Sequence, residues 1–160
     1  MSEELTRALE DEAELYRGLL GICAEKREAL VALRTQELEG IAAREEALLA
    51  RIAEADAARR RAAQAAALGL GLPGDATLRE IALASKSAEL AGLRESIGAL
   101  VRDVARANDL NGALAGQSLE HVHLFLRALT GLEEENGSYT RRGAEQPAKT
   151  PKMNLIDSVA

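Results

Sequence analysis

From Leu90 to Leu132 the residues Leu90, Leu93, Ile97, Leu100, Val104, Ala107, Asn111, Leu114, Ser118, His121, Phe125, Ala128 and Leu132 follow one another at spacings of three and four. That spacing keeps one side of an α-helix in line over many turns, and so long a row must be covered by helices of its own chain or of another. The segment predicts a single helix of about 45 residues, on the order of 70 Å long. What covers the row is the question on which fold and function both turn.

The preceding sequence offers two covering helices. Leu5, Leu9, Tyr16, Leu19, Leu20, Cys23, Leu30 and Leu33 recur at helical spacing, with Ser2 placed as an N-cap. A Thr35-Gln36 junction follows, and Leu38, Ile41, Leu48, Leu49 and Ile52 restart the pattern toward Ala66. At Thr35 the chain can turn or continue. An antiparallel hairpin is favoured, because Ala-rich helices of ~30 residues stabilise each other by pairing, whereas one rod leaves its row exposed. Residues 68 to 76 hold Gly69, Gly71, Pro73 and Gly74 and read as the main loop. Thr77 with Glu80 then makes a capping box for a short helix through Leu83, and Ser87 can begin the long one.

The expected fold is therefore all-α: an elongated antiparallel helical bundle or coiled coil with an N-terminal hairpin, a short connecting helix and one long C-terminal helix. The bundle domain is placed at residues 1–135. Pro147, Pro151, Gly137 and Gly143 preclude a long helix beyond it, so residues 136–160 are expected to form a flexible tail. Helices of about 45 to 50 Å cannot cover one of about 70 Å, so part of the long row should project. From Leu119 the apolar face also widens, with Leu119, Val122, Leu126 and Leu129 forming a second row beside His121, Phe125 and Leu132.

Composition narrows the chemistry. The aromatic residues are Tyr16, Phe125 and Tyr139, so the core should be thin and made of Leu, Ile and Ala, with no deep catalytic pocket. Residues 1–72, 73–135 and 136–160 carry net charges of −4, −4 and +2. An acidic body lacks the concentrated positive surface that nucleic acid requires, and Arg59, Arg60 and Arg61 read as a solvated helix face. Cys23 is the only cysteine and sits among apolar positions, which suits a packing thiol and requires no oxidising compartment. The acidic start, Met1-Ser2-Glu3-Glu4, is unlike a secretory signal, and no apolar run reaches the ~18 residues of a membrane span, so cytoplasmic residence without membrane insertion is expected.

Two motifs match by letter and fail by context. Gly69-Leu70-Gly71-Leu72-Pro73-Gly74 is a G-x-G-x-x-G string, but it follows an Ala-rich helix, whereas the dinucleotide fingerprint needs a strand before it. Glu120 and His123 have the Glu-x-x-His spacing of di-iron bundles, which need a second copy and two further glutamates. No catalytic residue, cofactor or metal ligand is assigned. Asn111 and Ser118 interrupt the apolar seam, and a buried amide there reads first as a device fixing helix register, with local loosening of the helix as the alternative.

Three segments resemble the FlgN-type flagellar export chaperones. The first is Glu25-Lys26-Arg27-Glu28-Ala29-Leu30 followed by Arg44-Glu45-Glu46-Ala47-Leu48-Leu49; the second is Asn111 to Leu132, with Gln117-Ser118-Leu119-Glu120 and Leu129-Thr130-Gly131; the third is Tyr139-Thr140-Arg141-Arg142-Gly143. The resemblance implies a cytoplasmic, non-enzymatic protein whose C-terminal region binds the C-terminal amphipathic helices of hook-filament junction subunits. It would prevent their premature assembly and present them to the flagellar type III export apparatus. The residues placed at that partner site are Leu119, Val122, Phe125, Leu126, Leu129, Leu132 and Tyr139, joined by Leu155, Ile156 and Val159 near the C-terminus. A structural coiled-coil adaptor acting by self-association is the alternative, and a metal-dependent bundle enzyme is a third reading.

Overall fold

The computed structural model describes residues 2–130. They form four helices, α1 (Ser2–Val31), α2 (Thr35–Gly69), α3 (Leu78–Ser85) and α4 (Ala88–Thr130), and the described residues contain no strand. The expected boundary at residue 135 and the tail beyond it lie outside the described residues.

The junction at Thr35 is a turn. Leu33 adopts a left-handed backbone with φ of 54°, and the Arg34 N–H donates to the Ala29 carbonyl at 2.9 Å, the bond that closes a helix end of the Schellman type. Leu33, expected to end the apolar row of α1, is instead an exposed corner residue. Past the turn, α2 runs back along α1.

The register of that hairpin is written in its charges. The α1 row 5, 9, 12, 16, 19, 23, 26, 30 alternates steps of four and three and includes the polar Glu12 and Lys26; the α2 row 41, 45, 48, 52, 59, 62, 66 includes Glu45 and Arg59. Glu12 Oε2 lies 2.8 Å from Arg59 Nε, and Lys26 Nζ lies 2.6 Å from Glu45 Oε2. Each polar residue of one row meets an opposite charge of the other. A slip by one heptad would face Glu12 with apolar positions and leave a buried charge unpaired, a cost of several kcal/mol on the order found for broken buried pairs.

This pairing corrects the solvated reading of the arginine triplet. Arg60 and Arg61 are exposed, but Arg59 is 4% exposed and lies among the core residues with Glu12 at 2%. Asp56 holds both Arg59, at 2.5 Å, and Arg60, at 2.7 Å.

Glycine ends α2 two residues later than the glycine string suggests, since Leu68 and Gly69 remain helical. Gly71 takes the left-handed position with φ of 74°, and the Leu72 N–H returns to the Ala67 carbonyl at 2.9 Å while Leu72 packs on the core. Thr77 caps α3 as expected: its Oγ1 accepts from the Glu80 N–H at 3.2 Å and its own N–H donates to Glu80 Oε2 at 2.7 Å. That short helix runs to Ser85, two residues past the expected end. Ser87 Oγ accepts from the Leu90 N–H at 3.2 Å, so α4 starts where the sequence placed it.

α3 touches both α2 and α4 at the end of the hairpin away from its turn. From there α4 runs parallel to α1, reaching Cys23 with Asn111. α1 is the central helix, packed on α2 along one side and on α4 along another, and among the described residues α2 and α4 share no close backbone approach. The core is thin, as its composition requires: Leu5, Leu9, Ala13, Tyr16 and Leu19 of α1 meet Ile52, Ala62 and Ala66 of α2, Ile81 of α3, and Leu90, Ile97, Val101 and Val104 of α4.

Candidate functional site

The long row of α4 changes character along its length. Leu90, Ile97, Val104 and Asn111 are buried; Leu93, Leu100, Ala107, Leu114 and Ser118 are half-buried; His121 is exposed. The transition has a simple cause. Val31 ends α1 eight residues after Cys23, whereas α4 continues nineteen residues past Asn111, so about 11 residues or ~16 Å of α4 run beyond the end of α1.

Asn111 marks the last deep contact. Its Nδ2 donates to the Cys23 carbonyl at 2.8 Å and the residue is 3% exposed, which fixes the axial position of α4 on α1 as a register device would. Cys23 contributes its carbonyl. Its thiol is buried, and burial, with Glu45 adding, pushes it above the ordinary thiol value, so it is a packing group and not a nucleophile.

Past Ser118 the side of α4 that faces α1 continues beyond the last residue of α1. Ser118 and Val122 follow Asn111 by seven and eleven residues, two and three turns along the same side. Leu119 is 62% exposed, and Val122 and Leu126 are half exposed. Leu124 is exposed as well, on another side of the helix. Exposed apolar surface of this kind is what interaction faces commonly present. Of Phe125 and Leu129, the helical backbone alone is described, and Leu132, Tyr139, Leu155, Ile156 and Val159 lie outside the described residues.

The remaining polar groups have structural explanations. Burial pushes the Glu12 carboxyl above its ordinary value against the opposing pull of Arg59, and burial together with Glu12 and Asp56 pushes the Tyr16 hydroxyl up to about 12. Tyr16 thus favours the folded state as a neutral phenol below pH 10, and that contribution is lost as pH rises from 10 toward 12. Arg44 beside Glu25 holds that exposed carboxyl below its ordinary value, first through their hydrogen bond at 2.5 Å. Glu120 and His123 are both exposed, which is not the inward face a di-iron site uses. Among the described residues no three His, Cys, Asp or Glu side chains gather in a way that could hold a metal ion. Two shallow open grooves, one lined by Leu20, Ala24, Arg27, Asp103, Arg106, Ala107 and Leu110 and the other by residues around Ile41, contain no nucleophile beside a base. No described helix is long and apolar enough to cross a membrane.

Among the described residues the hairpin braces one long helix whose distal part extends beyond the end of α1. The model of the FlgN protein family matches residues 1–147. The chain belongs to the FlgN family. Its membership makes it one of the flagellar export chaperones, a non-enzymatic family. A relative in Bacillus subtilis (strain 168), the uncharacterized protein YvyG, is 28% identical over 149 residues, covering 91% of this chain and 91% of the relative. No solved structure matches the chain.

Proposed function

We propose that this FlgN-family chain is a cytoplasmic chaperone that captures the C-terminal amphipathic helices of hook-filament junction subunits on the distal face of α4. Capture keeps the subunits from assembling early, and the loaded complex is delivered to the flagellar type III export apparatus. The observation that carries the reading is the apolar face at Leu119, Val122 and Leu126, which prolongs the side of α4 already used for helix packing. A partner helix presenting apolar residues at i, i+3 or i+4, and i+7 packs on such a face by the same rules as α1. Phe125, Leu129, Leu132, Tyr139, Leu155, Ile156 and Val159 extend the proposed contact toward the C-terminus.

The test is titration of the full-length protein with a synthetic peptide of a junction subunit's C-terminal helix. The wild type should form a 1:1 complex. Val122→Asp with Leu126→Asp should weaken it at least tenfold, on the scale of losing two buried apolar anchors, with thermal melting unchanged because neither residue is in the core. Unaltered binding by the double variant removes the site from α4. A concentration-dependent dimer in sedimentation, with no peptide binding, would favour self-association through the same face.

A further inference from the structure

The hairpin turn and the projecting part of α4 meet at one level of the molecule. Counting from the Asn111–Cys23 bond along two parallel helices, Leu119 is level with Val31, the last residue of α1. Val31 is 68% exposed and Leu33, two residues on, 63% exposed. Leu33 also has φ of 54°. An exposed leucine in the left-handed region has a backbone cost of about 1 kcal/mol that glycine would avoid, and it gains no burial in return. At the matching end of α2, glycine occupies that position.

We infer that the hairpin turn is part of the partner site: a partner's amphipathic helix lies on α4 in line with α1, as though continuing it, and ends against Val31 and Leu33. This rests on the proposed helix-capture function and adds to it a second wall and a length. The occupant follows from continuity with an existing interface, because the side of α4 that α1 covers as far as Ser118 is the side carrying Val122 three turns beyond Asn111. From Leu119 to Thr130, α4 extends past the end of α1 by a length that matches about three turns of helix, or ~16 Å. Leu33 and Val31 then supply apolar contact to the end of that helix, where its last or first turn would otherwise meet water.

The test uses the same junction-subunit peptide with full-length variants. Val31→Asp with Leu33→Asp should weaken peptide binding at least tenfold with the melting temperature kept, since both side chains are solvent-facing in the free protein. Leu33→Gly separates fold from function: it should raise the melting temperature while still weakening the peptide. If the wild type binds the peptide and both variants bind it as tightly, the turn is not part of the site and this inference falls while helix capture on α4 stands. If the wild type does not bind the peptide at all, the capture reading itself fails, and the inference with it.

Discussion

At the scale of single residues the most consequential group is the Glu12–Arg59 pair, two charges removed from water inside a thin core. Burial raises the Glu12 carboxyl, so the folded state holds that proton more tightly than the unfolded chain does. Its contribution to stability therefore declines as pH rises above the ordinary carboxylate value, and once ionised the pair specifies register more than it stabilises. Glu12→Ala should destabilise the protein by about 3 kcal/mol, because Arg59 keeps its burial and loses one of its carboxylates. The double variant Glu12→Leu, Arg59→Met should recover most of that loss, because no charge is then stranded. Urea unfolding of the three proteins checks this; a double variant as unstable as the single one would show that the pair contributes net energy. Only one half of the pair could be placed from the spacing: Glu12 falls on the four-three row of Leu5, Leu9 and Tyr16. Reading the arginine triplet as adjacent surface charges hid its partner.

Among whole elements, the ends of the helices show how differently local signals can be read. α1, α2 and α3 all close with an N–H returning to the carbonyl five residues earlier, from Arg34 to Ala29, Leu72 to Ala67 and Ser87 to Ala82. The left-handed residues are Leu33, Gly71 and Lys86. Only the glycine announces its position in the sequence, so the loop after α2 was legible from its own residues, whereas the corner near Thr35 was favoured only because two Ala-rich helices stabilise each other by pairing. Thr77 and Glu80, whose side chains define their cap, located α3 without help from tertiary structure. Lys86 makes the backbone cost measurable away from the proposed partner site. Lys86→Gly should stabilise the fold by about 1 kcal/mol, a rise of roughly 2 to 4 °C in melting temperature for a chain of this size. It should leave peptide binding untouched. A fall in melting temperature would mean that the unfolded-state freedom of glycine outweighs the relief at φ of 54°.

Across the whole molecule, the unequal lengths of α1 and α4 were readable from the apolar spacing, and the projection of α4 followed by arithmetic. The parallel course of α4 beside α1, with α1 as the central helix, was not readable, because the apolar rows of α2 and α4 would have paired equally well by pattern alone; the Asn111–Cys23 bond is what sets it. The same bond divides α4 energetically. Up to Asn111 the helix is held by deep packing; from there to Ser118 the cover is partial, with Leu114, Ala115 and Ser118 half-buried. Past Leu119, level with the end of α1, it relies on its own propensity, while Gly112 and Gly116 have nothing among the described residues within 4 Å of where a Cβ would sit. No close approach of another described segment requires either glycine, and Ser118 Oγ, bonded to the Leu114 carbonyl at 3.0 Å, adds a bond of the kind that bends helices. Each glycine costs the helix about 1 kcal/mol relative to alanine. Amide hydrogen exchange should therefore show protection falling after Asn111. Gly112→Ala with Gly116→Ala should slow exchange through residues 112–130 by roughly thirtyfold, the equivalent of about 2 kcal/mol, with little change over residues 90–110. A distal α4 made rigid in this way arrives at its partner with less ordering left to do, so the double variant should also bind the junction-subunit peptide more tightly. Equal protection along all of α4 in the wild type would show that the distal helix is already held, and that the two glycines tune nothing.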